Sequence, residues 1–182
     1  MKRVIIASPA LAPEALAELK EWLGITTTGE DATLAALLLA ALESCEAFTG
    51  ILPIECQCEE VLPVTAGWTA LDTRPVQAIS LVEAIPMTGP RVALAANAYA
   101  IDLSADGAGL VRVIAPGLAT RIAVRFTAGL AAGWNALPQG LRHGAVRLAA
   151  YQYRQRDAGG VEPQPPAAVA ALWRPWRRLR LT

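Results

Sequence analysis

Between Asp31 and Gly50 the chain reads DATLAALLLAALESCEAFTG. Leu34, Leu37, Leu38, Ala41, Leu42, Cys45 and Phe48 recur in steps of three and four, which is one stripe along a helix. Asp31 is expected to cap its start, since a carboxylate accepts a bond from an orphan backbone N–H. Gly50 stands where helices close with a left-handed residue. Ala35, Ala36, Leu39 and Ala40 fall off the stripe, so the first three turns are apolar nearly all round. Such a helix needs cover on more than one side, from its own chain or from another copy.

Working outward, the stretch from Ser8-Pro9 to Leu23 reads as a preceding helix with Leu16, Leu19 and Leu23 at helical spacing. Glu14, Glu18 and Glu21 mark its wet side, and Gly24 closes it. Thr26 to Glu30 is a polar link, so the two helices form a hairpin. Beyond Gly50 the period shortens. Glu55–Val64 and Trp68–Leu71 read as strands, and Ala78–Ile85 as a strand with Ile79, Leu81 and Ile85 on one face. Arg91–Leu94 and Tyr99–Leu103 follow, then an Asp106-Gly107 hairpin loop and Leu110–Ile114. In Arg121–Thr127, Ile122, Val124 and Phe126 alternate with Arg121, Ala123 and Arg125. A last long helix opens at Pro138 or Gln139 and runs to about Arg156. Val161 to Pro166 holds three prolines and reads as an extended spacer. The tail, AAVAALWRPWRRLRLT, starts as a short apolar helix and breaks at Pro175.

The fold class expected is therefore α+β, mainly α. It comprises a helical-bundle body (helices 9–23, 31–49 and 138–156), a small antiparallel β-meander inserted at 55–127, and an extended C-terminal arm. Residues 1–160 form the body, and 161–182 the proline spacer and docking arm.

Composition narrows the function classes. Hydrophobic residues make up 54% of the chain and charged residues 18%, with mean hydropathy +0.36. That exceeds the ordinary soluble monomer. The longest uncharged window, Phe126–Leu141, contains three Gly, Asn135 and Pro138 and does not read as a membrane span. Four apolar residues between Arg3 and Ser8 are too few for a signal core. The surplus points to subunit contacts. Charge is polarised: residues 1–60 carry ten acids and three bases (−7), 61–140 four and five (+1), and 141–182 two and eight (+6). Either the ends meet within one fold, or copies attract one another head to tail.

No catalytic constellation is visible. His143 is the only histidine, and no Ser or Cys sits in a nucleophile motif. The glycines form neither a P-loop nor a dinucleotide fingerprint. Cys56-Gln-Cys58 has the wrong spacing for a zinc site, and Cys45 reads as core. No cofactor and no metal is expected. The distinctive residues lie at the end of the chain: Trp173 and Trp176 as apolar anchors, with Arg174, Arg177, Arg178 and Arg180 able to fork onto carboxylates or phosphates. Docking on a partner protein, binding nucleic acid, or packing on its own domain are all open; a short segment with Pro175 argues against a membrane surface.

The order of these motifs resembles the head–tail connector (adaptor, head-completion) proteins of long-tailed phages and of phage-like gene transfer agents. The likeness runs through LKEWLGI, EDATLAALLLAALESCEAFTG, RPVQAISLVEAI, AYAIDL, RIAVRFTAGLAAGWNALPQGLRHGAVRLAAYQYRQR and LWRPWRRLRL, and so covers essentially the whole chain. The resemblance implies a structural protein in the virion or phage-like particle, assembled in the bacterial cytoplasm. It implies a twelve-fold homo-oligomeric ring at the head–tail junction, between the portal protein and a tail-side connector or stopper, with DNA passing through its lumen. Carried over, portal docking falls on Leu172, Trp173, Arg174, Pro175, Trp176, Arg177 and Arg178. Leu39, Arg142, Arg147 and Arg154 are the candidate subunit-interface residues. The alternative is a nucleic-acid-binding protein that uses the Arg/Trp-rich tail.

Overall fold

A computed structural model describes residues 3–7, 11–115, 117, 119–156 and 165–177. The chain divides into a β unit, Met1–Pro9 with Glu55–Leu130, and a helical unit, Ala10–Ile54 with Ala131–Thr182.

In the helical unit, α1 spans Pro13–Leu23 and α2 spans Asp31–Thr49. Pro13 opens α1, where its missing N–H costs nothing, so the helix starts later than the sequence suggested. Gly24 and Gly50 close the two helices with φ of 73° and 74°. Asp31 does not cap α2; it is the first helical residue and pairs with Lys20 Nζ at 2.6 Å, tying the helices together across their link. A single stripe of α2 is buried, Leu34, Leu38, Ala41, Cys45 and Thr49, and Leu39 stays exposed. By length and composition α2 could cross a bilayer, but here it packs against α1, α3 (Gln139–Gln155) and α4 (Ala167–Trp173).

The β unit overturns the expected balance. Among the described residues it holds eight strands: β1 (Arg3–Ala7), β2 (Cys56–Pro63), β3 (Thr69–Ala70), β4 (Val76–Ile85), β5 (Val92–Ala93), β6 (Tyr99–Leu103), β7 (Gly109–Val113) and β8 (Arg121–Ala128). Helix accounts for 39% and strand for 29%, so the chain is α+β with two sheets, not a helical bundle carrying a small insert. Nor is the β part a meander. The large sheet runs β1-β2-β8-β4-β5 and the small one β3-β7-β6, with every strand pair antiparallel. The last strand, β8, lies between β2 and β4 because its alternation fits between two long partners. Ile122, Val124 and Phe126 fill the core face, while Arg121 and Arg125 stay outside. Ala123, on the Arg side, is also buried.

Two further differences have local causes. The four apolar residues near the N-terminus form β1, an edge strand on β2. In β4 the register shifts twice, between Val76 and Ala78 and between Ile79 and Leu81. Each bulge swaps the faces: Ile79 lies opposite Phe126 on the core side, but after the second bulge Val82 and Ala84 take that side and Leu81 and Ile85 lie opposite Arg125 and Arg121. The arm is not extended where it is described: residues 167–173 form α4, and Arg174–Trp176 a tight helical turn. Val169 and Trp173, one helical turn apart, are its buried face.

Candidate functional site

The residues expected to dock on a portal sit at the end of the helical unit, and the fold sorts them. Trp173 is completely buried. Its indole lies over Gly144 of α3, where a Cβ would meet Trp173 Nε1 at 2.2 Å. Trp173 Nε1 donates to the Leu141 carbonyl at 3.4 Å, and its ring lies 6.1 Å from that of Phe48. Trp173 is therefore a buried peg that holds α4 on α3. Arg174, Pro175 and Arg177 are exposed, and Leu172 and Trp176 half-buried. The Arg177 guanidinium rests 5.3 Å above the Phe48 ring, a cation–π contact. Close packing at Gly140, whose Cβ would lie 3.3 Å from the Leu172 carbonyl oxygen and 3.7 Å from Trp176 Nε1, seats the turn. Arg178, also expected to dock, lies outside the described residues.

The candidate interface residues scatter. Leu39 is exposed on α2. Arg142 pairs with Glu18 at 3.3 Å and Arg147 is half-buried. Arg142 and Arg154 line an open groove of about 620 Å³ with Glu18, Glu21, Trp22, Gln139, His143 and Val146. His143 meets Trp22 edge to face at 5.2 Å. Trp22, on α1, is left partly exposed against His143.

One ionic cluster in this unit escaped the sequence. The Tyr153 hydroxyl donates to Glu30, and Arg156 Nη1 to the same carboxylate at 2.6 Å, with the guanidinium 4.4 Å above the Tyr153 ring. The Tyr153 bond, and after it Arg156, hold the Glu30 carboxyl below its usual range; the same bond raises the Tyr153 phenol.

In the β unit, Glu60 and Glu59 are held in place by hydrogen bonds. Glu60 is buried, and its carboxylate accepts from Asp72 N (2.9 Å), Thr73 N (2.9 Å) and the Thr73 hydroxyl (2.6 Å). Arg3 donates to that hydroxyl oxygen at 3.4 Å. Glu59 takes bonds from Arg91 (2.6 Å) and Arg125 (3.1 Å). Burial raises the Glu59 carboxyl, but the two arginines outweigh it and the net shift is downward. Arg125, on the wet face of β8, is thus engaged across strands.

All three thiols are buried. Burial pushes Cys45 up to about 12. The Cys56 and Cys58 sulfurs lie 3.5 Å apart, and that contact, with burial, raises Cys58 strongly. Among the described residues no group of three or more His, Cys, Asp or Glu is placed to hold a metal ion. What this arrangement offers chemically is contact surface: an aromatic-and-arginine turn pegged to a helical unit, and a β unit with open edges.

Against known proteins, no family model matches the chain and no curated protein does. Solved structures do match along its whole length. A chain from the neck of an empty gene transfer agent particle, computed with six-fold symmetry, superposes with a TM-score of 0.78 at 25% identity, covering 100% of this chain and 98% of that one. A chain from the virion of a native gene transfer agent particle gives a TM-score of 0.75 at 25% identity, over 100% and 98%. A chain from the neck of a native particle, computed with twelve-fold symmetry, gives 0.75 at 26%, over 98% and 97%.

Proposed function

We propose that this chain is a structural component of the neck of a gene transfer agent-like particle. More narrowly, it is the head–tail adaptor, whose copies form a ring between portal and tail and continue the DNA conduit. The observation that carries the reading is the end-to-end likeness to neck chains, covering 100% of this chain and 98% of the other. A match to both units at once, with no long insertion on either side, favours a shared role over a shared module. Exposed apolar surface supports it: Val4, Ile5, Ile6, Trp22, Leu39, Trp68, Met87, Val92, Ile101, Leu103 and Ile114 all stand in the open on an isolated copy. Large exposed apolar surface in a soluble chain signals contact with other proteins.

Docking on the portal falls to the presented part of the tail, Leu172, Arg174, Pro175, Trp176 and Arg177, with Arg178 beyond it. Half-buried Trp176 supplies the apolar anchor and the arginines forked contacts with carboxylates. The mechanism is binding, and no residue is assigned a catalytic role. Cryo-electron microscopy of particles from producing cells tests the reading. The chain is expected at the head–tail junction in cyclic copies. Particles that lack it would overturn the assignment. A salt titration of DNA affinity separates the nucleic-acid alternative, which requires tight binding that falls steeply as salt rises.

A further inference from the structure

Among the described residues, every exposed large apolar side chain except Trp22 and Leu39 belongs to the β unit. Three of them are consecutive: Val4, Ile5 and Ile6, on β1. Among the described residues this strand pairs with β2 alone, which leaves its other side an open edge. Soluble monomers blunt such edges with charge, proline or cover. β1 has one charged residue, Arg3, which is opposite Glu60 and donates to Thr73, turned toward its own sheet. A bulge between Ile5 and Ala7 leaves Arg3–Ile5 as the regular, pairing-competent run.

β6 is a second open edge, at the end of the small sheet. Ile101 stands opposite Val111, and Leu103 opposite Gly109. Directly opposed residues share a face, so Ile101 and Leu103 point to the side on which Val111 is buried. Both nevertheless remain nearly half exposed, at 46% and 45%. The core side of this strand runs out past the cover its own chain provides. The two edges also lie apart. β1 is three strands from β4 in the large sheet, about 14 Å at normal strand spacing. The sheet carrying β6 packs on β4.

We infer that the β1 edge of one copy pairs with the β6 edge of the next, joining neighbouring β units head to tail. The inference rests on the neck reading for its occupant, a second copy of this chain. Pairing β1 with β1 would give a two-fold dimer and stop. Pairing two different, well-separated edges is heterologous and can close into a ring, the arrangement that six-fold and twelve-fold necks require. Val4, Ile6, Ile101 and Leu103 would lose their exposure in the same contact.

Cross-linking in assembled particles tests this. Copies carrying Val4→Cys and copies carrying Ile101→Cys are co-expressed, and purified particles are treated with a short bismaleimide. Cys45, Cys56 and Cys58 are buried and supply little background. Mixed particles should yield covalent dimers, each single variant none, and a double variant a ladder of multimers. If the chain is present in particles but the mixture yields no dimer, the pairing is overturned and the neck reading stands. Dimers from Val4→Cys alone, or its cross-linking to a different particle protein, also overturn it. Absence of the chain from particles overturns both. As a second readout, Val4→Lys/Ile6→Lys should lower incorporation at least ten-fold without changing the melting temperature of the isolated protein. Undiminished incorporation overturns the pairing.

Discussion

Trp173 occupies the space in which a side chain on residue 144 would stand: a Cβ at Gly144 would lie 2.2 Å from the indole nitrogen. The indole leaves room there only for a glycine, and together the two residues fasten α4 to α3. Gly144→Ala should therefore cost about 1–3 kcal/mol through overpacking. Trp173→Ala should cost about 3–5 kcal/mol through the cavity it leaves. The two are coupled, so the double variant should be less destabilised than the sum. Thermal denaturation of the four proteins measures this. Unchanged melting of Gly144→Ala would show that α4 sits elsewhere.

Truncation divides the tail into two parts. Removal of residues 167–182 takes Val169 and Trp173 out of the core, so the helical unit should lose stability, contrary to what a free arm would allow. Removal of 178–182 alone takes no described core residue and should lower melting less. Circular dichroism on both truncations decides the matter. Equal melting temperatures would contradict the peg.

Docking should separate from stability at the neighbouring tryptophan. Trp176→Ala removes a half-buried anchor from the presented turn. It should weaken attachment to a portal more than Arg180→Ala, because a large aromatic anchor outweighs a single charge in interface energy. A pull-down with purified portal compares the two, and equal losses would count against the anchor.

The parts legible in the sequence were those with local causes. The α2 stripe follows from spacing, the Gly24 and Gly50 closures from backbone freedom, and the β6–β7 hairpin from Asp106-Gly107. The sheet order was not legible, because placing β8 between β2 and β4 depends on long-range fit. The β4 faces were misread because two bulges reset the alternation, and β1 because four apolar residues carry no period of their own. At the tail, residue types singled out Trp173 and Trp176 alike. Telling the peg Trp173 from the presented Trp176 depends on a hole at Gly144 that only packing reveals.

Glu60 anchors the Asp72–Thr73 turn with three hydrogen bonds to one buried carboxylate. Glu60→Ala leaves two N–H groups and a hydroxyl without that acceptor, each costing about 1–3 kcal/mol where water cannot replace it. Glu60→Gln retains an acceptor and should lose less. Chemical denaturation ranks them, and a near-neutral Glu60→Ala would mean that water enters the turn.

The Glu30–Tyr153–Arg156 cluster gives stability a pH dependence with a definite sign. The Glu30 carboxyl is lowered from 4.5 by Tyr153 first and Arg156 second. A carboxyl depressed in the folded state contributes stability above its unfolded value and loses it as pH falls through the folded one. Tyr153 is raised from 10.0 by the same bond, so its contribution is complete below that value and fades as pH rises through the folded one. Because one bond causes both shifts, Glu30→Gln should flatten the acid and the alkaline side of the stability profile together, while Tyr153→Phe should flatten the alkaline side and keep on the acid side only the part that Arg156 supplies. Melting temperatures from pH 3 to pH 11 for the three proteins measure both. If Glu30→Gln follows the parent on the acid side, the cluster does not form in solution.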